Sequence, residues 1–309
     1  MNKNIFTQTC LITKGFVGLC IVAIASLLCI SCEKLDFNYL DGETTEIRVR
    51  VKSFEQIPFN GTSRAAVSVN EVCSRINILV YDSENARILN LSQKAEDSDF
   101  GTASFRLQQG TYKLVVLAHS SGGNPTSTDI LKINFPNNYG VSDTFLYCED
   151  LVVEEESKSL DLTLNRCVAK VRFVFTDEEI PANVKTMKFK YTGGSSTLDA
   201  TSGLGNALST QEEKRNVEDA IIDADGNHIF EIYTFPRLTE ENKLKITVSA
   251  LGEDNGDALF EDVFEDVPVT KNIITQFTGK FFVAPSVSTS MSLQVNADWS
   301  DVDEYEFVR

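Results

Sequence analysis

Residue types that could carry acid–base or nucleophilic chemistry are scarce in this sequence. It contains two histidines, His119 and His228, whereas a serine or cysteine nucleophile needs a histidine or a similar base beside it. His119 ends an apolar run and precedes Ser/Gly residues, which is typical of a polar residue at the end of a strand. No cluster of His, Cys and acidic residues has the spacing of a zinc site. We therefore predict no catalytic residues, no metal site and no cofactor.

Asp223–His228 (DADGNH) comes nearest to a metal-binding motif. It resembles the start of a calcium-binding loop, in which the sixth residue is glycine and the twelfth is glutamate. Here the sixth residue is His228 and the twelfth is Thr234. A hairpin turn is the better interpretation, and a calcium site is the alternative. The 45 acidic residues are too numerous for any carboxylate pair to indicate glycoside hydrolysis.

The N-terminal segment has the order of features found in a bacterial lipoprotein signal. Lys3 and Lys14 are its only charges, and Phe16–Ile30 is an apolar run. A helix of that length spans about 22 Å, less than the ~30 Å hydrocarbon core of a bilayer. Ser31 then places a small residue before the thiol of Cys32. We predict export, cleavage before Cys32 and acylation of Cys32, with an ordinary secretory signal as the alternative.

Three cysteines, Cys73, Cys148 and Cys167, remain in the predicted mature chain. An odd number cannot pair completely in an oxidising compartment. Each lies in or beside an apolar run, so buried free thiols are the default prediction. One disulfide with one free thiol is the alternative, and the sequence does not decide between them.

The chain is acidic, with a net charge of −17. A surface of that sign repels phosphate, which argues against nucleic acid as a partner. The simplest interpretation is that the charge keeps an exported protein soluble, and the alternative is a cationic partner.

Alternation of apolar and polar residues dominates the mature chain. Glu46–Phe54 alternates with a period of two, as a half-buried strand does. Arg75–Asp82 and Tyr112–His119 are near-continuous apolar runs, as in fully buried strands. About fourteen such segments, separated by turn residues, predict an all-β chain of two β-sandwiches. Glu212–Ile222 is the segment for which we predict a short helix.

Four segments follow from these patterns. Residues 1–31 are predicted to be the signal peptide and residues 32–45 a tether. Residues 46–165 are predicted to form an N-terminal β-sandwich and residues 166–309 a C-terminal one. The boundary falls between two strong strand patterns that are joined by a short connection.

Several stretches together resemble one known family of surface proteins. They are Arg75–Asp82 with Leu107–His119, Leu164–Val171, Val267–Phe282 and the Asp-Trp-Ser-Asp segment around Trp299. In this order, and behind the predicted lipid signal, they resemble the fimbrillin superfamily of the Bacteroidales. The likeness is closest to its FimB-like fimbrial anchor and minor-subunit lipoproteins.

The resemblance implies two transthyretin-like β-sandwich domains on a surface-exposed outer-membrane lipoprotein. It also implies that the protein anchors a fimbria (type V pilus), or forms part of one, by β-strand exchange with other subunits. In that family a protease specific for Arg or Lys removes the N-terminal strand, and a neighbour's strand fills the groove. A vacated groove has unpaired backbone groups that favour such an exchange.

Glu46–Phe54 is the candidate for the removable strand, and Arg64 is the candidate cleavage site in a predicted loop. Cleavage there would release the lipid and make the chain a subunit, whereas an uncut chain would be an anchor. An arginine that simply lies in a loop is the alternative. Val287–Phe307 could be a donated strand or an integral strand of the second domain.

A second function from another class is a surface glycan-binding lipoprotein. Such a module needs exposed aromatic rings for sugars, but Trp299 is the only tryptophan and most Phe and Tyr fall on core-facing positions. A host protein or a glycan is a further possible ligand of the fimbrial protein itself.

Overall fold

The computed structural model of the chain describes residues 43–55, 68–239, 242–253, 256–282 and 291–296. The predicted signal peptide, the lipidation site Cys32, the candidate cleavage site Arg64 and the tryptophan Trp299 lie outside the described residues. Predictions about these positions therefore remain predictions.

The described residues are almost entirely β-structure. Helix is limited to α1 (Val69–Val72) and a 3-10 turn at Val217–Asp219, and neither has the length or apolar character needed to cross a membrane. The strands are β1 (Thr44–Glu55), β2 (Arg75–Tyr81), β3 (Arg87–Lys94), β4 (Thr102–Gln108), β5 (Gly110–His119), β6 (Ile133–Asn134), β7 (Thr144–Val153), β8 (Lys158–Arg166), β9 (Ala169–Phe175), β10 (Thr186–Thr192), β11 (Thr197–Asp199), β12 (Leu204–Gly205), β13 (Thr210–Asn216), β14 (Ile221–Ile222), β15 (His228–Thr234), β16 (Lys243–Leu251), β17 (Phe260–Pro268), β18 (Ile274–Gly279) and β19 (Met291–Asn296).

The N-terminal part of the fold is a seven-stranded sheet in the order β3-β2-β5-β7-β8-β1-β4. β1 pairs antiparallel with β4 and parallel with β8. The other neighbouring strands run antiparallel. The first described strand of the chain therefore lies inside this sheet, one position from its edge.

One face of the seven-stranded sheet surrounds a hydrophobic core. Leu89 on β3 and Phe105 on β4 belong to that same core although they come from opposite edges of the sheet. The edges are linked at one corner by Gln93, whose amide donates to the carbonyl of Thr102 at 2.7 Å and accepts from the amide of Gly101 at 3.2 Å. The sheet thus curves round its core, and a buried side chain closes part of the gap between its edge strands.

The C-terminal part is a β-sandwich. A four-stranded sheet, β13-β10-β16-β17, faces a five-stranded sheet, β14-β15-β9-β18-β19, and residues of both fill one core. Phe173 lies at its centre, stacked on Phe277 at 5.5 Å between ring centroids and close to Phe189 and Phe264 at 5.4 Å and 5.3 Å. The alternation that predicted strands here places these phenylalanines on inward-facing positions.

A third core joins the two parts. The short strands β6, β11 and β12 form a small sheet, and Leu79 and Val115 contribute from the outer face of the seven-stranded sheet. Phe135 and Phe235 meet there at 5.4 Å between ring centroids. Residues from Thr44 onward form one compact unit, and the division into two domains at residue 165 stays a prediction.

The segment Glu212–Ile222, for which we predicted a short helix, contains no α-helix and has one 3-10 turn at Val217–Asp219. β13 covers its first five residues and pairs antiparallel with β10. Gln211 and Glu213 are buried on one side of β13 because they hydrogen-bond to the hydroxyl of Tyr191. Tertiary contacts with buried polar partners therefore override a local pattern of acidic residues that is typical of a helix.

Candidate functional site

The candidate removable strand, Glu46–Phe54, falls within β1. Ile47, Val49 and Val51 point into the core and are buried. β1 aligns Ile47 with Phe105 of β4 and Val49 with Leu160 of β8. The alternation seen in the sequence is therefore the alternation between core and outer face, and both edges of β1 are hydrogen-bonded to neighbours.

The outer face of β1 carries the basic side chains that alternate along the strand with its buried apolar residues. Arg48 and Arg50 are exposed and pair with Glu46 and Asp161 at 3.1 Å and 2.7 Å, and Lys52 lies 3.6 Å from Asp161. The hydrogen bond from Arg48 holds the pKa of Glu46 below its usual value. Exposed pairs of this kind contribute little to stability, since water screens them. The strand is thus held by its backbone bonds and its apolar side.

His119, the first catalytic candidate considered above, is a buried structural residue. Its Nδ1 accepts from the amide of Ser121 at 3.2 Å, so Nε2 carries the proton and faces the Oδ1 of Asn77 at 2.9 Å. Burial, with a smaller contribution from Arg75, lowers the pKa of His119 to about 3. A ring with both nitrogens engaged and no affinity for a proton near neutral pH cannot act as a general base there.

The turn at Asp223–Asn227 joins β14 to β15, which confirms the hairpin interpretation. Asp223 accepts hydrogen bonds from the amides of Asp225 and Asn227 and from the side-chain amide of Asn227, each at 2.9 Å. These bonds, that from the Asn227 side chain foremost, lower the pKa of Asp223. Across the part of the chain that the structure describes, no group of three or more His, Cys, Asp or Glu residues is placed to hold a metal ion.

Cys73, Cys148 and Cys167 are free thiols. The default prediction of buried free thiols is confirmed for Cys73 and Cys167, whereas Cys148 is half-buried. Burial raises the pKa of Cys73 to about 12 and that of Cys148 to about 11, and it raises the pKa of Cys167 further. A thiol nucleophile needs a lowered pKa. Cys73 and Cys167 therefore act as small apolar groups of the core, and Cys148 packs against its margin.

Two buried ion clusters were not predicted from the sequence. Arg166, at the end of β8, pairs with Asp143 at 2.7 Å and donates to the side chain of Asn272. Lys170 on β9 pairs with Glu231 on β15 at 3.0 Å. Arg166 and Lys170 belong to the Leu164–Val171 segment that carried the family resemblance, and two cations four residues apart between apolar runs were the only signal of these clusters.

Comparison with known proteins gives one family match and several distant structural likenesses. The model of a family described as "Family of unknown function (DUF6562)" matches residues 40–306. No curated protein matches the chain. Among solved structures, the chain is similar to a candidate adhesin from Bacteroides ovatus with 9% identity and a TM-score of 0.48, covering 86% of this chain and 96% of that one.

Two further solved structures are similar to the same degree. One is a candidate polysaccharide-binding protein (DUF1812) from Bacteroides thetaiotaomicron, with 11% identity, a TM-score of 0.46 and coverage of 85% and 98% of the two chains. The other is the fimbrial anchor protein Mfa2 from Porphyromonas gingivalis, with 8% identity, a TM-score of 0.45 and coverage of 85% and 100%. These likenesses are distant and carry no argument about activity. The family match, by contrast, spans most of the sequence, and the chain therefore belongs to the DUF6562 family.

Proposed function

We propose that this chain is a structural and adhesion protein, not an enzyme, which anchors a cell-surface fimbria or forms part of it. A lipid on Cys32 holds it in the outer membrane, and other fimbrial subunits join it by exchange of β-strands. Within the fimbrillin superfamily we place it with the FimB-like anchor and minor-subunit lipoproteins. The observation that carries the proposal is the position of β1, the first strand after the predicted tether, inside the seven-stranded sheet.

Removal of an inner strand has a larger effect than removal of an edge strand. It would leave unpaired backbone groups on both β4 and β8 and would open the core beneath Ile47, Val49 and Val51. Each of these side chains contributes roughly 1.5–3 kcal/mol through burial. A groove of this kind accepts another strand with the same alternation, because that strand restores both the hydrogen bonds and the apolar contacts.

The position of β1 also suits an anchor at the chain's N-terminal side. Eleven residues lie between Cys32 and Thr44, and the chain between the two reaches about 40 Å when extended. Thr44 lies at the end of β1 that pairs near Lys158, whereas the other end, Glu55, lies beside Asn165 next to the C-terminal part. The first described strand therefore begins at the end of β1 that lies farther from the C-terminal part.

The mass of the intact protein from native outer membranes tests the proposal. A species that begins at acylated Cys32 and ends at Arg309 supports an anchor that keeps β1. A species that begins at Ala65 and is recovered from sheared filaments supports a polymerised subunit. A lipidated monomer that never accompanies filaments would contradict both forms of the proposal and would favour the alternative of surface glycan binding.

Two single substitutions test the lipidation and the proteolytic cleavage separately. Cys32→Ser should remove the acyl mass and release the protein from the membrane. Arg64→Gln should abolish any species that begins at Ala65, whereas the matched loop substitution Arg237→Gln should leave the processing unchanged. Cleavage that persists in Arg64→Gln would show that the candidate site is wrong.

A further inference from the structure

The five-stranded sheet has an outer face whose side chains are unusual for a surface. Lys170, Arg172 and Val174 alternate on β9 with the inward-facing Phe173 and Phe175. Strand register places Tyr233, Glu231 and Ile229 of β15, and Ile274, Gln276 and Thr278 of β18, on the same face. β19 adds Gln294, whose side chain accepts from Gln276 at 3.4 Å.

This outer face is polar and yet buried. Lys170 is 7% exposed, Gln276 is 9% and Gln294 is 3%. Lysine and glutamine on the outer face of a sandwich normally project into water. The outer face of the four-stranded sheet follows that rule, since the side chain of Lys245 there is 60% exposed. The low exposure of Lys170, Gln276 and Gln294 indicates that another segment covers this face.

Two apolar side chains lead to the same conclusion. Val174 is 6% exposed and Ile274 is 4% exposed, but neither belongs to any of the three hydrophobic cores of the described residues. They lie on the outer face in the same rows as Lys170 and Thr278. An outer face with both buried polar and buried apolar residues fits a segment that carries both kinds of side chain.

The charge of this outer face indicates the charge that the covering segment should carry. Among the described residues, Lys170 and Arg172 share the carboxylate of Glu231, with contacts of 3.0 Å and 2.7 Å, so two cations pair with this one carboxylate. Burial lowers the pKa of Lys170, although Glu231 opposes this effect. The neighbouring Asp143 pairs with Arg166. Additional carboxylates next to Lys170 and Arg172 would be attracted to the excess positive charge.

The C-terminal residues of the chain follow directly after β19, an edge strand of this sheet. Ile274 pairs with Asn296 on one side and with Lys170 on the other, and adjacent strands lie about 4.8 Å apart. The backbone of Asn296 is thus about 10 Å from that of Lys170. Thirteen residues follow Asn296 and can extend over about 45 Å, which is more than the roughly 20 Å width of a five-stranded sheet.

The composition of these last residues matches the face. Residues 297–309 (ADWSDVDEYEFVR) contain five acids, three aromatic residues and a single base. We propose that this C-terminal segment docks in the same molecule across the outer face of β15, β9, β18 and β19. Its acids lie towards Lys170 and Arg172, and its aromatic rings cover Val174 and Ile274. The C-terminal residues are then part of the sandwich and are not a strand kept free for donation.

Trp299 provides a direct test because it is the only tryptophan of the chain. In the full chain, purified from membranes in detergent, its emission should be blue-shifted and protected from acrylamide quenching. Replacement of four tail acids by amides (Asp301→Asn, Asp303→Asn, Glu304→Gln and Glu306→Gln) should raise quenching towards that of the urea-unfolded protein. These changes lie outside the described sheets and leave the ions beneath them intact.

A matched variant controls for the loss of four negative charges. Glu253→Gln, Asp257→Asn, Glu261→Gln and Glu265→Gln remove the same charge on and beside β17, the edge of the other sheet, and should leave Trp299 protected. Equal effects of the two quadruple variants would overturn the proposal, as would an unprotected Trp299 in the wild-type chain.

Light scattering coupled to gel filtration separates docking within one molecule from exchange between molecules. A monomer with a protected Trp299 supports the proposal. A dimer that dissociates when residues 297–309 are deleted would overturn it, because the segment would then occupy the same face of a second copy. This outcome does not bear on lipidation or on strand exchange at β1, so the two proposals fail separately.

Discussion

Acidification should destabilise this protein through His119. The side chain is fully buried, and its Nδ1 accepts a hydrogen bond from the amide of Ser121. A proton on Nδ1 would turn this acceptor into a donor that faces another donor. It would also place a charge in an apolar site beside Phe135, whose ring lies 5.3 Å away between centroids. The folded chain therefore favours the neutral ring.

The size of the effect follows from the two pKa values of the ring. Burial first, and then Arg75, lowers the pKa of His119 from 6.5 to about 3 on folding. Between these values the unfolded chain binds more protons, so stability is present above pH 6.5 and falls as the pH falls towards 3. With one pKa unit worth about 1.36 kcal/mol, a change from pH 7 to pH 4.5 removes roughly 2–3 kcal/mol through His119 alone.

Urea unfolding at the two pH values, followed by far-ultraviolet circular dichroism, measures this loss. Other groups also titrate in this range, so the comparison is between the wild type and His119→Gln, which cannot take up a proton. The variant should lose roughly 2–3 kcal/mol less than the wild type between the two pH values. An equal acid loss in His119→Gln and the wild type would refute the reasoning.

Three further predictions concern packing and thiol reactivity. Gly194→Ala should cost about 1–3 kcal/mol in urea unfolding, because the new Cβ would overlap the Oγ1 of Thr234. Phe173→Ala should cost about 3–5 kcal/mol by the same measurement, since four phenylalanine rings surround that side chain. Cys73 and Cys167 should not react with a thiol reagent at pH 8 until the chain is unfolded in urea, as mass spectrometry would show.

The strands were predictable from the sequence where the pattern of apolar residues matches the faces on which the strand is buried. Arg75–Asp82 and Tyr112–His119 were predicted as buried strands, and the structure has β2 and β5 there. Their side chains are apolar on both faces because one face meets the N-terminal core and the other meets the core between the two parts. A sequence pattern reports such two-sided burial directly.

The pairing of the strands was not predictable in the same way. β1 lies parallel to β8, which follows it by more than a hundred residues, and no local pattern encodes a partner at that distance. Glu213 shows the same limit for a single residue. Its sequence context favours an exposed position, but the hydroxyl of Tyr191 draws it into a buried network. Partners that come from distant strands decided both cases.

Part of the candidate site could be predicted from the sequence, and part of it depends on distant strand partners. The alternation of Glu46–Phe54 predicted a half-buried strand, and β1 is half-buried, with Arg48, Arg50 and Lys52 on its exposed face. The buried cluster of Lys170, Arg172 and Glu231 could not be predicted, because Glu231 lies on another strand, 61 and 59 residues away in sequence from Lys170 and Arg172. A lysine on an outward-facing position of a strand is normally exposed. Only the sheet register shows that this one shares a carboxylate.

The location of β1 has a mechanical consequence for a chain that is anchored through Cys32. Tension from the membrane would enter at Thr44 and act along β1, in line with the strand. The bonds from β1 to β4 and β8 run across that direction, so the force loads many of them together instead of opening them one at a time. An edge strand would have one such row of bonds, whereas β1 has two. Because β1 is paired on both sides, its removal would leave a deep groove between β4 and β8. The same two rows of hydrogen bonds make β1 a strong attachment point while it is in place.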